Sequence, residues 1–377
     1  MNRPRLGYLE EHRGEVLELL RSLVEVNSFT RNPKGVNLVG QTMAAFLGGL
    51  GFQEQIHERQ GIGHHQLFTR PGSGTKLLFL THKDTVFPED TGFLKFTIDG
   101  DRAVGPGVID MKGGITVLLS TLKMLGELGE LGDLDITITA VSDEESGSED
   151  SRELTEACAI GKDYVFCMEC GGLNRELVSA RKGVGTFFID IVGKAAHAGN
   201  SYAQGVNANL ELAHKTIAIH ELTDLEQGTT VNVGEISGGI GANTISPAAR
   251  ITIDLRFEEH EEGERIRSEL ERIAIEPYVQ GTRSVLSGVI QRPVMVESRG
   301  TRAFIEAIGQ ATGIGVAVER RGGVSDANFT AALGIPTLDG FGPIGGDDHR
   351  TTEYMLIDSL FRRIELLGTV LAHLGRV

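Results

Sequence analysis

The chain has 377 residues, which at roughly 150 residues per domain implies two to three domains and excludes a single small module. Its 36 Lys and Arg against 52 Asp and Glu leave a formal charge of −16, with no basic stripe to meet a phosphate backbone, so nucleic acid is not an expected partner. Hydrophobic residues at 40% and charged residues at 23% are ordinary for a chain that buries a core. The start, Met1 to Leu20, is charged throughout, and no run of about 18 apolar residues follows, so neither a signal peptide nor a membrane span is expected. Three cysteines, Cys158, Cys167 and Cys170, are too few for a disulfide framework and point to the cytoplasm.

Apolar spacings of three and four predict helices over Tyr8–Val26 and Val36–Leu50. Short apolar runs at Lys76–Leu80, Asp135–Val141 and Tyr164–Met168 read as strands, with helical patterns between them at Gly113–Leu128 and Ser148–Ala157. This alternation predicts an α/β layer with a largely parallel sheet. Near Gly183 the style changes. Thr186–Val192, Thr229–Ile236 and Arg250–Phe257 alternate like half-buried strands, and Gly205–His220 and Glu261–Ile273 are helical. The order β-α-β-β-α predicts a ferredoxin-like α+β unit, an antiparallel sheet with two helices on one face. After about Val294 the α/β style returns with helices Thr301–Thr312 and Ser325–Leu333, strand Pro336–Leu338 and a terminal helix Glu353–Leu374. The expected organisation is one catalytic domain, 1–181 and 295–377, interrupted by a smaller domain at 182–294.

Four expected strand ends each carry acidic or imidazole side chains: His82 with Asp84, Asp110, the pair Glu144 and Glu145, and Glu169. Loops at the carboxyl ends of parallel strands converge even when far apart in sequence. A set of His and carboxylate ligands without thiolate suits zinc, manganese or cobalt in a hydrolytic site, and His349 could complete it. Asp84, two residues from His82, is placed to orient the imidazole ring, and Lys83 between them is expected to point away. Glu144 and Glu145 point in different directions, so one can bind metal while the other serves as general base. Gly105 to Asp110 has Asp where a dinucleotide fingerprint needs Gly, which argues against nucleotide binding. Cys167-Met168-Glu169-Cys170 lacks a second cysteine pair and reads as structural, with Glu169 as its chemical residue. His64 and His65 read as surface residues.

Taken in order, these residues carry a resemblance. His82-Lys83-Asp84, Gly105-Pro106-Gly107-Val108-Ile109-Asp110, Asp143-Glu144-Glu145-Ser146-Gly147, Met168-Glu169, the His197 segment Gly193 to Gly199, Asn243-Thr244-Ile245, Asp254-Leu255-Arg256 and a late His349 resemble the co-catalytic zinc metallopeptidases and amidohydrolases. That family includes bacterial glutamate carboxypeptidase, aminoacylase, acetylornithine deacetylase and succinyl-diaminopimelate desuccinylase. The likeness is greatest to the glutamate carboxypeptidases, through Gly322 to Asn328 and the surroundings of Arg292. Lys83, Cys170 and Arg350 depart from the family pattern without removing a ligand.

The resemblance implies two zinc ions per subunit, replaceable by cobalt or manganese, bridged by Asp110. His82 and Glu169 would complete one site, Glu145 and His349 the other. It also implies Glu144 as catalytic base, Asp84 as the partner of His82, and the insertion as a lid that pairs two chains into a homodimer. His197 would stabilise the tetrahedral intermediate, from its own subunit or across the dimer, and Asn243 would touch the substrate. Arg256 and Arg292 are the candidates to hold the free carboxylate of a small substrate, because a guanidinium offers two parallel donors to it. The expected reaction is hydrolysis of an amide bond to an amino acid, with glutamate carboxypeptidase, N-acyl amino acid deacylase and dipeptidase activities as the versions. A metal-binding scaffold without turnover is the rival outside enzymes, and a retained Glu144 argues against it.

Overall fold

The computed structural model describes residues 3–376, so the expected domain limits at 1 and 377 lie outside the described residues. Two compact units are present. The larger comprises the chain up to Ala180 together with Glu297–Arg320 and the stretch from Ser325 onward, and the smaller comprises Arg181–Val296 with Arg321–Val324.

In the larger unit a six-stranded sheet runs in the order Gln53–His57, His65–Arg70, Asp135–Val141, Lys76–His82, Tyr164–Cys167, Thr337–Leu338. The last four strands are mutually parallel, and His65–Arg70 runs antiparallel to both its neighbours. Leu77, Leu78, Phe79 and Leu80 are all buried at 0–1% exposure, because a parallel strand covered on both faces needs a continuous apolar run. The helix Lys112–Glu127 is buried on almost every side, as its all-round apolar sequence requires, and the terminal helix Ile357–Leu374 packs against it. Asn32 caps the helix Pro33–Gly48 by accepting from the Gly35 N–H, with Pro33 at the first helical position.

The helix expected over Tyr8–Val26 is two, Arg3–Glu11 and Arg13–Val24, separated where His12 takes ψ 11°. The His12 ring stacks on Tyr8 at 4.0 Å, and its Nδ1 lies 2.9 Å from the Tyr8 carbonyl, which the His12 N–H also reaches. The reading of His65 as a surface residue is wrong. It opens the strand His65–Arg70, is 0% exposed, and sets its Nε2 3.0 Å from Asp150 Oδ1. A polar stretch conceals a buried strand here: the ring reaches Asp150 through Nε2, while its buried Nδ1 has no hydrogen-bond partner among the described residues.

The smaller unit is a four-stranded antiparallel sheet in the order Thr230–Gly238, Ala248–Phe257, Gly183–Val192, Arg283–Arg292. Phe187, Ile189 and Ile191 on one strand and Ile251, Ile253 and Leu255 on its neighbour are buried. They point to the face on which helices Ala208–His220 and His260–Ile275 pack. The fourth strand, Arg283–Arg292, was not expected. It lies at a sheet edge, is half exposed, has Gly288 at φ +110°, and slips register between Ile290 and Arg292, so its alternation is weak. Among the described residues no helix is long and apolar enough to cross a membrane.

Candidate metal centre

His82 closes the central strand, and the loops bearing Glu145 and Glu169 leave its two neighbours, so three consecutive parallel strands deliver three side chains to one edge of the sheet. Asp110, expected at a strand end, instead lies in the turn that follows the strand Arg102–Val104, and His349 arrives from a late loop. A small antiparallel sheet joins Arg102–Val104 to Tyr354–Leu356 and the latter to Gly345–Gly346, which brings the Asp110 turn beside the His349 loop. Gly107 at φ +79° lets that turn reverse. His349 and Asp347 hold left-handed φ values of 62° and 59°, the kind of strain that concentrates at functional sites.

The five side chains meet around Asp110. Its Oδ1 lies 3.0 Å from His82 Nε2, which is itself 3.2 Å from Glu169 Oε1. Its Oδ2 lies 3.2 Å from His349 Nε2, which is 3.3 Å from Glu145 Oε2. Each carboxylate oxygen of Asp110 thus faces one imidazole that also touches one further carboxylate. Ligand atoms of His82, Asp110 and Glu145 all fall within 4.8 Å of one another.

Three carboxylates and two imidazoles share this pocket, and their protonation reflects it. Burial lowers the basicity of His82, but hydrogen bonds to Asp110, Asp84 and Glu169 outweigh it and hold the ring well above its ordinary value. Hydrogen bonds to Asp110 and Glu145 push His349 up to about 11. Burial raises Glu145 and Glu169, and the Asp110 charge raises both further. Asp110 is held below the usual carboxylate range, the two imidazoles overcoming its burial. Protons on the rings stand where a cation would neutralise the carboxylates, and nitrogen and oxygen donors without thiolate fit a divalent cation of borderline hardness.

Asp84 supports both halves. Its main-chain oxygen lies 3.0 Å from His82 Nδ1 and its Oδ1 3.5 Å from the same atom. The strand stops at His82, so the nearer contact to the ring is through the carbonyl rather than the carboxylate. Oδ2 instead accepts from Thr30 Oγ1 at 2.7 Å and from the Glu145 N–H at 3.3 Å. Lys83 points away, its Nζ donating to the His64 carbonyl and Gln66 Oε1. Glu144 and Glu145 sit in the 3-10 turn Glu144–Ser146, where consecutive side chains diverge by about 120°.

Glu353 escaped the sequence reading. It is fully buried and accepts from the N–H groups of Gly107 at 3.0 Å, Ile109 at 2.8 Å and Asp110 at 3.2 Å. Burial raises its pKa to about 8. A lone Glu between Thr352 and Tyr354 carries no motif, and only the fold reveals that it holds the Asp110 turn.

The remaining candidates lie in the smaller unit. His197 is exposed, and its Nδ1 accepts from the Gly199 N–H at 3.1 Å and the Asn200 N–H at 3.0 Å, which leaves the proton on Nε2. Asn243 is its neighbour, its carbonyl accepting from the Ala198 N–H at 2.9 Å. Arg256 and Arg292 both pair opposite Val184, one on each side, at the other end of the sheet. Arg256 donates to Asp254 from Nε at 3.0 Å and from Nη2 at 3.1 Å, whereas Arg292 is only 2% exposed. The Val192 end, beyond which His197 lies, is eight residues from Val184, about 26 Å along an extended strand.

The model of peptidase family M20/M25/M40 matches residues 78–373. Carboxypeptidase G2 of Pseudomonas sp. (strain RS-16) is 30% identical over 375 residues, covering 96% of this chain and 89% of its own. Among solved structures, the aminopeptidase PepT of Bacillus cereus superposes with a TM-score of 0.78 at 24% identity over 96% of this chain and 98% of its own. A dinuclear metal-binding M20 peptidase of Bacillus subtilis superposes at 0.70 with 15% identity, over 96% and 98%. The α/β fold with an inserted smaller unit is that of these peptidases, and the chain belongs to peptidase family M20/M25/M40 as a metal-dependent hydrolase of the metallopeptidase and amidohydrolase type.

Proposed function

We propose that this hydrolase cleaves the amide bond to an amino acid that keeps a free carboxylate, in the manner of a glutamate carboxypeptidase, with two zinc ions held about Asp110. The observation that carries the reading is the division of the cluster into two half-sites, His82 with Glu169 and His349 with Glu145, each on its own oxygen of Asp110. Bound zinc supplies a Lewis acid for the scissile carbonyl and makes water acidic enough to attack near neutral pH.

The chain's own groups do the rest. Glu144, beside Glu145 but directed elsewhere, takes the proton of the attacking water and returns it to the leaving amine, which departs poorly unless protonated. His197, with Nδ1 occupied by two backbone donors, offers its Nε2 proton to the oxyanion. Asn243, on the adjoining segment, contacts the same part of the substrate. Arg256 and Arg292 receive the free carboxylate.

The spacing within the smaller unit has a consequence. His197 with Asn243 and Arg256 with Arg292 occupy opposite ends of one sheet, about 26 Å apart by strand length, so one copy does not bring both pairs to one small substrate. We infer that the smaller unit is a lid through which two chains pair, each lending one pair of residues to its partner's site. The open edge strand Thr230–Gly238, with Ile236 60% exposed, and Ile217 at 62% on the neighbouring helix support such a two-fold contact. A cytoplasmic location fits the three free cysteines.

The test is amine release from N-acyl amino acids, folate-type glutamates and dipeptides by zinc-loaded protein, with Glu144→Gln as control. Release from acidic members alone, lost with Arg256→Ala, supports the glutamate reading. Release from neutral members moves the specificity to a deacylase or dipeptidase. No release from protein carrying two metals overturns the proposal in favour of a binding scaffold.

A further inference from the structure

The larger unit contains a second hollow, of about 680 Å³, lined by side chains from the helix Arg3–Glu11, the loop at 174–177, the chain at 311–317 and the terminal helix Ile357–Leu374. Its volume is that of a small-molecule site, which typically occupies roughly 300–1,000 Å³. Its charge runs against the chain. Arg5, Arg175, Arg362, Arg363, Arg376 and His373 line it, with Glu365 the one acid, in a protein of formal charge −16.

Some of this charge is spent. Arg5, 4% exposed, donates to Glu130 Oε2 at 2.6 Å and Thr369 Oγ1 at 3.1 Å. Arg363, 3% exposed, donates to the Glu176 carbonyl at 3.0 Å. Arg175, Arg362 and Arg376 make no side-chain hydrogen bond or ion pair among the described residues. The dipole of the terminal helix accounts for a basic residue in its last turn, His373, and for Arg376 just past its end, but not for Arg175 and Arg362. Arg175 also stands at φ +75°, a left-handed conformation uncommon outside glycine and worth a functional explanation.

We propose that this hollow is a second ligand site, for a small molecule carrying two or more negative charges on carboxylate or phosphate groups. Arg175, Arg362 and Arg376 bind the ligand, and the buried guanidinium of Arg363 supplies fixed positive potential behind them. The hollow also adjoins the chain that builds the metal centre. The Arg363 guanidinium packs so closely on Gly171 that a Cβ there would collide with it, and Gly171 is two residues beyond Glu169. Ile344, another lining residue, is five residues before His349.

Titration calorimetry on the zinc-loaded protein tests this, with propane-1,2,3-tricarboxylate and 3-phosphoglycerate as separate probes. The expected result is saturable binding of at least one probe, retained in Glu145→Ala and weakened at least about tenfold in R362A/R376A. Binding of propane-1,2,3-tricarboxylate shows that carboxylates alone suffice, whereas binding of 3-phosphoglycerate without it shows that the phosphate is needed. Arg175→Gly, which suits the left-handed backbone, is expected to weaken the same binding without lowering the melting temperature. No saturable binding of either probe up to about 10 mM, binding unaffected by R362A/R376A, or binding lost in Glu145→Ala would each overturn the proposal, the last by assigning the anion to the metal centre.

Discussion

Each unit holds a charged cluster, and the two are finished differently. In the smaller unit Lys215 and Glu211, both 0% exposed, pair at 2.9 Å one turn apart on the same helix. Lys215 Nζ also donates to the carbonyls of Ile273, Ala274 at 3.2 Å and Glu276 at 2.9 Å, while Glu211 accepts the N–H groups of Tyr278 at 3.2 Å and Val279 at 2.6 Å. Every charge there has an internal partner, and the pair ties the end of one helix to the next turn. In the larger unit Asp110, Glu145 and Glu169 face, among the described residues, only His82 and His349. That cluster has more carboxylates than imidazoles, which suits a bound cation. A completed network belongs to the fold, whereas an incomplete one belongs to a ligand.

The largest effects should come from breaking the incomplete cluster. Asp110→Ala removes the carboxylate common to both half-sites, and activity should fall by more than about 10⁴-fold with loss of bound metal, read by kinetics and metal analysis. Glu144→Gln should lower kcat by about 10²- to 10⁴-fold while metal content stays at wild-type level, because a general base contributes that range. Lost metal in that variant would make Glu144 a ligand. The completed cluster should respond the other way round. Lys215→Met leaves Glu211 buried without its cation, and urea denaturation should show a loss of about 3–5 kcal/mol with unchanged metal content. A loss below about 1 kcal/mol would mean that the pair is less isolated from water than its burial indicates.

The sequence displayed the incomplete cluster far better than the completed one. Ligands must be His or carboxylate and must sit where loops leave strands, so His82, Glu145 and Glu169 stood out after apolar runs. Lys215 and Glu211 looked like any i, i+4 pair on a solvated helix face, because burial depends on what covers the face. Glu353 was hidden for the same reason, as its three backbone partners exist only once the Asp110 turn is folded. The strand Arg283–Arg292 lacked alternation at its glycine and bulge, and His65 lacked an apolar context, so both needed the tertiary structure to become visible.

Support for the cluster should matter less than its ligands. Glu353→Gln exchanges one accepting oxygen for an amide that faces backbone donors, which loosens the Asp110 turn without unfolding it. Zinc affinity of metal-stripped protein should drop about 10- to 100-fold, the usual effect of removing a group that orients a ligand. Asp84→Asn tests the same point on the opposite side, since the Asp84 Oδ2 contacts to Thr30 and the Glu145 N–H survive only if the amide oxygen takes that place.

The smallest expected effect concerns acid. Burial opposes ionisation of Glu211, but the bonds from Lys215, Val279 and Tyr278 outweigh it and hold its carboxyl below its ordinary value. A carboxyl whose folded value is depressed contributes stability that is present above its unfolded value and is lost as pH falls through the folded one. Urea midpoints should therefore hold between pH 7 and about 5 and decline below about 4.5 for the transition of the smaller unit. In Glu211→Gln that portion of the decline should be absent, while the remaining carboxylates still titrate. An equally steep decline in Glu211→Gln would show that the acid sensitivity resides elsewhere, and the contrast between a self-neutralised pair and a cluster suited to a cation would then rest on geometry alone.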